Sequence, residues 1–190
     1  MRILVATKNK HKLREIRHIL KGLQVTGCKL QVKETGKTFE ANAIKKARAV
    51  AKKDGCIAIA DDSGLMVDCL GGRPGVRSAR FASPPTPENL CGKLLKEIHK
   101  LQVSSFKLQV VRARFVCVIA VVYPSGKVKA VRGICHGKII HEMRGEHGFG
   151  YDPVFVPRGY KKTFAEMKPA MKNRISHRAR ALKKLKSILK

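Results

Sequence analysis

The stretch Ile57-Ala58-Ile59-Ala60-Asp61-Asp62-Ser63-Gly64 decides how the rest of the chain is interpreted. Its first four residues predict a short strand buried on both faces, and the pair of aspartates is predicted to follow where that strand ends in a turn. In open α/β sheets, ligands bind outside the carboxyl ends of strands. Paired carboxylates there suit a hard cation such as Mg²⁺, which prefers oxygen ligands. The alternative is a simple turn, because Asp, Ser and Gly are all good turn formers.

Length and composition predict one compact domain. The chain has 190 residues, 44% of them hydrophobic, which is enough for a sizeable core. No apolar run approaches the roughly 20 residues that a membrane span needs. Residues 1–6 hold a short apolar run that is followed at once by Lys8, Lys10 and Lys12, which is not the pattern of a signal peptide, so we expect a cytoplasmic protein.

The cysteines and the charge narrow the expected ligands. None of the six cysteines belongs to a C-x-x-C pair, so we expect reduced thiols and no zinc site. The chain has 41 basic and 13 acidic residues, a formal charge of +28. This charge attracts polyanions and predicts weak, non-specific binding to nucleic acid. The basic residues are spread along the whole chain, so a solvated surface explains much of the excess equally well.

The first third of the chain predicts a strand–loop–helix unit and a second helix. Residues 2–6 have a strand pattern, 11–21 have helical spacing, and the loop between them holds hydroxyl, amide and ammonium groups. A helix N-terminus attracts phosphate, although the glycine-rich pattern of a phosphate loop is missing. Residues 24–33 predict a strand or hairpin, and Thr38 is the expected N-cap of a helix over 39–53. On that helix Lys46 either extends along the protein surface to water or reaches into a cleft.

The remainder predicts an α/β domain with a mixed sheet. Residues 65–70 are expected to form another strand, and the loop 144–153 holds two aromatics, Phe149 and Tyr151, that are expected to be exposed. Helices are predicted over 88–100, after Thr86 and Pro87, and from Ser176 to the end. The expected strands of this part are 109–123, 128–134 and 154–156.

Five blocks of sequence resemble one family in the same order. They are ATKNKHK at 6–12, ETGKTFEANAIKKA at 34–47, IADDSGL at 59–65 with GGRPGVRSARF at 71–81, GFGYDPVF at 148–155, and MKNRISHRARAL at 171–182. Together they span nearly the whole chain, and the chain resembles the inosine triphosphate pyrophosphatase family.

The resemblance implies a fold and a reaction. The implied fold is α/β, with an elongated mixed central sheet flanked by helices and with two lobes around an active-site cleft. Residues 1–190 would form it as a single two-lobed domain. The family is usually homodimeric. The reaction is hydrolysis of the non-standard purine nucleoside triphosphates ITP, dITP and XTP to a nucleoside monophosphate and pyrophosphate. It takes place with Mg²⁺, or alternatively Mn²⁺, and it cleanses the nucleotide pool.

The resemblance also implies a role for each matching residue. Asp62 resembles the base that activates the attacking water, and it is also a predicted metal ligand with Glu34 and Asp61. Lys46 is predicted to contact phosphate during catalysis. The predicted substrate-binding residues are Thr7, Lys8, Asn9, Lys12, Ser63, Gly64, Phe149, Gly150, Tyr151, Asp152, Lys172, His177 and Arg178. Phe149 is expected to stack on the purine, and donors such as His177 and Arg178 are expected to favour the carbonyl at its six position.

Two departures from the family pattern and two other functions stay open. Ala41 stands where Glu would complete a capping box with Thr38, and we expect that loss to be structural. His147 stands where small residues are common and adds a donor or a pH dependence near Phe149. The competing functions are a basic nucleic-acid-binding protein, which the low aromatic content of 5% disfavours, and a family member that binds nucleotide without cleaving it.

Overall fold

The computed structural model describes residues 2–28, 30, 32–104 and 110–189. Helices and strands are numbered separately in chain order. They are β1 (Arg2–Ala6), α1 (Lys10–Ile19), β2 (Gln24–Cys28), α2 (Phe39–Asp54), β3 (Ile57–Val67), α3 (Pro87–Ser104), β4 (Val111–Val122), β5 (Val128–Ile139), β6 (Phe155–Pro157), α4 (Pro169–Ile175) and α5 (His177–Ile188).

Within the described part of the chain, the strands form one mixed sheet in the order β2-β1-β3-β4-β5-β6. β1 pairs in parallel with both β2 and β3, and β5 pairs antiparallel with β6. The predicted mixed sheet flanked by helices is therefore confirmed. The chain also divides into two compact units, one formed by 1–63, 117–134 and 176–190, the other by 64–116 and 135–175. The predicted cleft stays a prediction.

The central stretch forms one continuous strand, so the predicted turn after residue 60 is wrong. β3 runs unbroken through Asp61, Asp62, Ser63 and Gly64, and residues 68–70 form a short 3₁₀ turn instead of a strand. The side chains around the two aspartates explain the difference, because they supply cations to carboxylates that a strand would otherwise bury at high cost. Gly64 fits there because a Cβ would collide with the carbonyl of Gly75.

The core of the first unit packs two helices on the sheet. Ile3 of β1, Ile59 of β3 and Ile119 of β4 are almost fully buried and form one cluster with Ile16 of α1. Leu182 of α5 completes it. Three residues of α5 that the sequence places on one apolar face are buried in this structure, namely Ala179, Leu182 and Leu185. The predicted amphipathic helix after Ser176 is therefore confirmed, with the Ser176 side chain accepting from the N–H of Ala179.

The core of the second unit is built around three phenylalanines. The rings of Phe115 and Phe155 meet edge to face with centroids 4.7 Å apart, and Phe164 lies 5.2 Å from Phe155. Leu65 and Leu94 belong to the same buried cluster. This packing fixes β4, β6 and α3 against one another.

Several element boundaries differ from the sequence prediction. The expected strand or hairpin over 24–33 is the short parallel strand β2, while residues 29 and 31 lie outside the described residues. β5 extends five residues beyond the predicted end at 134, because Cys135 and Ile139 are buried. Residue 109 at the start of the predicted strand 109–123 also lies outside the described residues. Across the described part of the chain, no helix is long and apolar enough to cross a membrane.

Candidate active site

Asp61 lies at the centre of a buried ionic group in the first unit. Its Oδ2 accepts from Nε and Nη2 of Arg178 at 3.2 and 3.0 Å, and Nζ of Lys12 lies 3.2 Å away. Arg178 also pairs with Glu15 of α1 through Nη1. Ser63 donates to Asp61 and accepts from Arg178 at 2.9 Å. The group therefore ties β3 to α1 and to α5.

The charges around Asp61 keep its carboxylate ionised. Burial alone would raise the pKa of Asp61, but the positive charges of Lys12, Arg178 and Lys46 outweigh it and hold the pKa far below its usual value. For Arg178, burial would lower the pKa, and the charges of Asp61 and Glu15 raise it instead. Both groups are fully charged at neutral pH, and removing either one leaves a charge buried without its partner.

Lys46 of α2 connects two further carboxylates, those of Glu34 and Asp62. Its Nζ lies 2.5 Å from Oε1 of Glu34, 3.6 Å from Oδ1 of Asp62 and 2.8 Å from the carbonyl oxygen of Asp61. Burial lowers the pKa of this ammonium, but the charges of Asp61, Asp62 and Glu34 outweigh burial and raise it. Lys46 is therefore a fixed cation inside the group, and its side chain does not extend outward to solvent.

Asp62 is a carboxylate of this group whose pKa is raised, so it binds a proton more readily than an exposed aspartate does. Burial raises its pKa, the charge of Lys46 opposes that shift, and the charge of Glu34 adds to it. Its Oδ2 accepts from Nδ2 of Asn42 at 3.0 Å, while the side-chain oxygen of Asn42 accepts from the N–H of Gly36 at 2.8 Å. Asn42 therefore fixes the orientation of Asp62 and links it to the segment that carries Glu34.

The loop before α1 holds the hydroxyl, amide and ammonium groups that the sequence places at the start of this helix. The Asn9 side chain caps α1 by accepting from the N–H groups of His11 and Lys12 at 2.9 and 3.1 Å, and the hydroxyl of Thr7 accepts from the N–H of Asn9. The N-terminus of α1 is thus ordered by its own polar residues. Lys8 lies on the surface of this loop.

A second group of predicted site residues lies in the second unit. Asp152 accepts from the N–H of Phe149 at 2.8 Å and pairs with the buried Lys172 at 2.6 Å. The ammonium of Lys172 lies 4.7 Å from the centroid of the Phe149 ring. A half-buried aromatic face, a fixed cation and a carboxylate are thus held together by direct contacts.

Tyr151 is buried, so the expectation that both loop aromatics are exposed is wrong for this residue. It is 3% exposed, and its hydroxyl donates to the carbonyl oxygen of Ser78 at 2.9 Å. The hydroxyl makes that burial favourable because it has a partner. The neighbouring Gly150 has φ +64° and accepts from the thiol of Cys91, and burial raises the pKa of that thiol to about 12. Tyr151 and Gly150 therefore hold the loop in place.

His177 and Arg178 lie in the first turn of α5, within the first unit. Both are buried, and the donors of Arg178 are directed at Asp61, Glu15 and Ser63. The predicted role of the two residues in recognising the purine carbonyl stays a prediction. The contacts in this structure give Arg178 a different task, which is to neutralise Asp61.

Sequence reasoning missed two residues of the site. Glu15 lies one helical turn beyond Lys12 on α1, and a lone acid on a basic helix was the available signal. Asn42 lies one turn before Lys46 and is fully buried, although its side chain is polar. A buried polar side chain requires partners, so its position on the apolar stripe of α2 was informative.

The two departures from the family pattern lie on the surface. Thr38 still caps α2 by accepting from the N–H of Ala41 at 3.1 Å, so Ala41 removes only the second half of the capping box. The side chain of His147 is exposed, while the backbone N–H of this residue donates to the carbonyl of Ala165. Its effect on pH dependence stays a prediction.

The described residues contain no group of three or more His, Cys, Asp or Glu side chains arranged to hold a metal ion. All six cysteines are free thiols. Glu34 and Asp62 are joined by Lys46, and Oδ1 of Asp61 is buried without a hydrogen-bond partner in the described chain. These oxygens are of the type that a hard cation prefers, and Mg²⁺ is commonly held by only one or two carboxylates together with phosphate and water.

Comparisons with known proteins show the family to which the chain belongs. The profile of the Ham1 family matches residues 3–188. The chain is 45% identical over 194 residues to a dITP/XTP pyrophosphatase of Bacillus subtilis, covering 98% of this chain and 96% of that protein. It is also 45% identical to the dITP/XTP pyrophosphatase of Desulforamulus reducens, covering 100% and 96%.

Solved structures agree as well. The Ham1 protein of Staphylococcus aureus superposes with a TM-score of 0.86 at 37% identity, covering 100% of this chain and 98% of the other. A HAM1 protein from Coxiella burnetii gives a TM-score of 0.87 at the same identity. The fold is that of these α/β structures, and the chain belongs to the Ham1 family. The predicted relationship to the inosine triphosphate pyrophosphatases is confirmed.

Proposed function

We propose that this protein is a nucleoside-triphosphate pyrophosphatase that hydrolyses dITP, ITP and XTP to the nucleoside monophosphate and pyrophosphate. The observation that carries the proposal is the arrangement of Asp62, a buried carboxylate with a raised pKa, beside the fixed cation Lys46. The curated relatives that share 45% identity are named dITP/XTP pyrophosphatases, which supports the same reaction here.

In the proposed reaction Asp62 accepts a proton from the attacking water. Hydrolysis of a phosphoanhydride depends on placing the water and neutralising charge more than on covalent chemistry. A carboxylate with a raised pKa is a stronger base than an exposed one. Asn42 keeps one oxygen of Asp62 occupied by a hydrogen bond at 3.0 Å, which leaves the other, Oδ1, for the water.

Lys46 neutralises charge in the proposed reaction. Its ammonium already lies within 4 Å of both Glu34 and Asp62 and bonds the carbonyl of Asp61. An incoming phosphate oxygen would replace one of these partners without moving the cation far. The ammonium of Lys12, in the first turn of α1, supplies a further cation for phosphate.

We also propose that Mg²⁺, or alternatively Mn²⁺, is held by Glu34 and Asp62, with the unpartnered Oδ1 of Asp61 as a third candidate ligand. When bound, such an ion stabilises the negative charge of the phosphates. Burial and, to a smaller extent, the negative charge of Glu34 raise the pKa of Asp62, and a cation shared by the two carboxylates would relieve their repulsion.

Phe149 and Lys172 are proposed to bind the purine and to select it. An aromatic face accepts any purine, so selection must come from the polar edge of the base. The ammonium of Lys172 is only a donor, which favours a carbonyl at the six position over the amine of adenine. Its pairing with Asp152 at 2.6 Å fixes that donor beside the ring.

The proposal is tested by pyrophosphate release from ITP, XTP, ATP and GTP, each with and without Mg²⁺. Metal-dependent release from ITP and XTP, with much slower release from ATP, is expected. Equal release from ITP and ATP would refute the proposed selection of a carbonyl at the six position, but it would still support the pyrophosphatase reaction. No release from any of the four would refute the proposed activity.

Two matched substitutions assign the chemistry to Asp62. Asp62→Asn is expected to lower turnover by at least about a hundredfold, the lower end of what general-base catalysis contributes. Asp54→Asn makes the same chemical change at an exposed position of α2 and is expected to leave turnover unchanged. Nucleotide binding by Asp62→Asn, measured by calorimetry with ITP, separates a lost base from a lost site. Full activity in Asp62→Asn would remove this residue from the base role.

We further propose that the enzyme works in the cytoplasm and that it is a homodimer, as the resemblance implies for the family. A molar mass near twice the 21.1 kDa of one chain, measured by light scattering at several concentrations, is the expected result. A single mass of one chain at all concentrations would refute the dimer.

A further inference from the structure

A cavity of about 480 Å³ lies in the second unit, apart from the residues discussed so far. It is lined by β4, β5, β6 and the loop after β6, and it includes none of Phe149, Asp152 and Lys172. Its basic side chains form what we call the basic sheet face, which consists of Arg112, Arg114, His136, Lys138 and Arg158.

Strand alternation creates this face. Along β4, Val111, Ala113 and Phe115 point into the core, so Arg112 and Arg114 point to the opposite side. Along β5, Cys135 and Ile139 are buried, while His136 and Lys138 are exposed. Arg158 is exposed directly after β6. Within these short segments of two neighbouring strands, alternate residues are thus basic and lie on the same side of the sheet.

The basic sheet face carries an excess of positive charge. Among the described residues that line the cavity, Asp68 alone is acidic, and it pairs with Arg114 at 2.5 Å. Arg112, Lys138 and Arg158 have no ion-pair partner within the part of the chain that the structure describes. Like charges on neighbouring strands destabilise a sheet, so stability does not account for this arrangement.

Two exposed apolar side chains border the same cavity. Tyr160 is 41% exposed and Val110 is 52% exposed. Tyr160 is held by a turn in which its N–H donates to the carbonyl of Pro157 at 3.1 Å. An ordered turn therefore places a partly exposed aromatic side chain beside these cations.

We propose that the basic sheet face is a binding site for single-stranded nucleic acid, with phosphates on Arg112, Lys138 and Arg158 and a base stacked on Tyr160. Sheet surfaces that combine cations with aromatic rings are a common way of binding single strands. Alternate residues of a strand lie about 6.5 Å apart and neighbouring strands about 4.8 Å apart, so the cations form a grid. A single phosphate group can contact only some of these cations, whereas the successive phosphates of a nucleotide chain can contact all of them.

The test compares two variants that lose the same charge. The first replaces three cations of the face, as Arg112→Gln, Lys138→Gln and Arg158→Gln together. The control replaces three exposed cations of α2 and α3, as Arg48→Gln, Lys53→Gln and Lys96→Gln. Binding of a labelled oligonucleotide of about 16 nucleotides, a typical site size, is followed by fluorescence anisotropy over a range of salt concentrations.

The expected result is a difference in salt dependence. Loss of three phosphate contacts lowers the slope of log K against log salt by about 2 for a single strand, since each contact contributes about 0.7. The control triple variant should keep the slope of the unaltered protein. Tyr160→Ser should weaken binding about tenfold, in the range of one lost base stack, without changing the slope. All variants should retain nucleotide hydrolysis, because none of the altered residues belongs to either site group.

Three results would overturn the proposal. Equal losses in the two triple variants would mean that net charge alone binds the oligonucleotide. Displacement of the oligonucleotide by inorganic pyrophosphate at equal ionic strength, with no effect of Tyr160→Ser, would mean a site for small phosphates. A change in molar mass of the first triple variant by light scattering would mean that the face is an interface between copies of the chain.

Discussion

Replacing Arg178 by Met should destabilise the protein strongly, because this cation neutralises two carboxylates. The guanidinium is 1% exposed and pairs with Asp61, itself 2% exposed, and with Glu15. Removing one partner of a buried ion pair costs about 3–5 kcal/mol, since the remaining charge stays buried. Lys12 still lies 3.2 Å from Asp61 and compensates in part, so we expect a loss of about 3 kcal/mol.

That loss should be visible in melting and in urea unfolding. For a chain of this length each kcal/mol lowers the melting temperature by about 2–4 °C, so a drop of roughly 10 °C is expected. Arg180→Met removes the same charge at an exposed position of the same helix and should change the melting temperature by no more than about 2 °C.

The double variant Asp61→Asn with Arg178→Met tests the reason for the loss. Removing the stranded carboxylate should return part of the stability that Arg178→Met alone removes, although two residues are changed. The explanation would be refuted if Arg178→Met and Arg180→Met were equally stable, or if the double variant were less stable than Arg178→Met.

Four further predictions concern stability. The pKa of Asp61 is lower in the folded than in the unfolded protein, so its ionised form contributes stability above about pH 4 that is lost as the pH falls. Asp61→Asn should therefore make the unfolding free energy fall less steeply as the pH is lowered into the acid range. An unchanged acid dependence would contradict this. Asp62 has the opposite shift, so Asp62→Asn should melt at the same or a higher temperature than the unaltered protein, whereas a large drop would contradict a raised pKa. A Cβ at Gly133 of β5 would collide with the carbonyl of His177 and the nitrogen of Ala181, so Gly133→Ala should lower the free energy of unfolding in urea by about 2 kcal/mol. In the control Gly92→Ala the added Cβ meets open space, so the protein should not be destabilised. Ala41→Glu completes the capping box with Thr38 and should add about 0.5–1 kcal/mol; a rise in turnover without a rise in melting temperature would instead give the position a catalytic role.

The fold could be predicted from the sequence wherever the spacing of apolar residues fits one type of element, a helix or a strand. The helices at 39–53 and after Ser176 have capping residues and one apolar side, and both were found within one or two residues of their predicted starts. The strand at 109–123 is a long run of Val and Ile and forms β4. Local pattern was sufficient there because burial and propensity favour the same element.

The continuation of β3 through Asp61 and Asp62 could not be predicted locally. Two carboxylates, a serine and a glycine are turn formers by themselves, and only Lys12, Lys46 and Arg178 make them acceptable inside a buried strand. Those partners lie far away along the chain. The same holds for Tyr151, which is buried because the carbonyl of Ser78 accepts from its hydroxyl.

The ion pair between Arg178 and Glu15 joins residues 163 positions apart, and this has a consequence for synthesis of the protein. The first unit is assembled from three separate stretches of chain, and the last of them brings in Arg178. While the ribosome is still translating the preceding residues, Asp61 lacks its arginine, so the carboxylate group cannot adopt its final arrangement. The nascent chain should therefore be inactive and sensitive to protease until α5 has emerged from the ribosome.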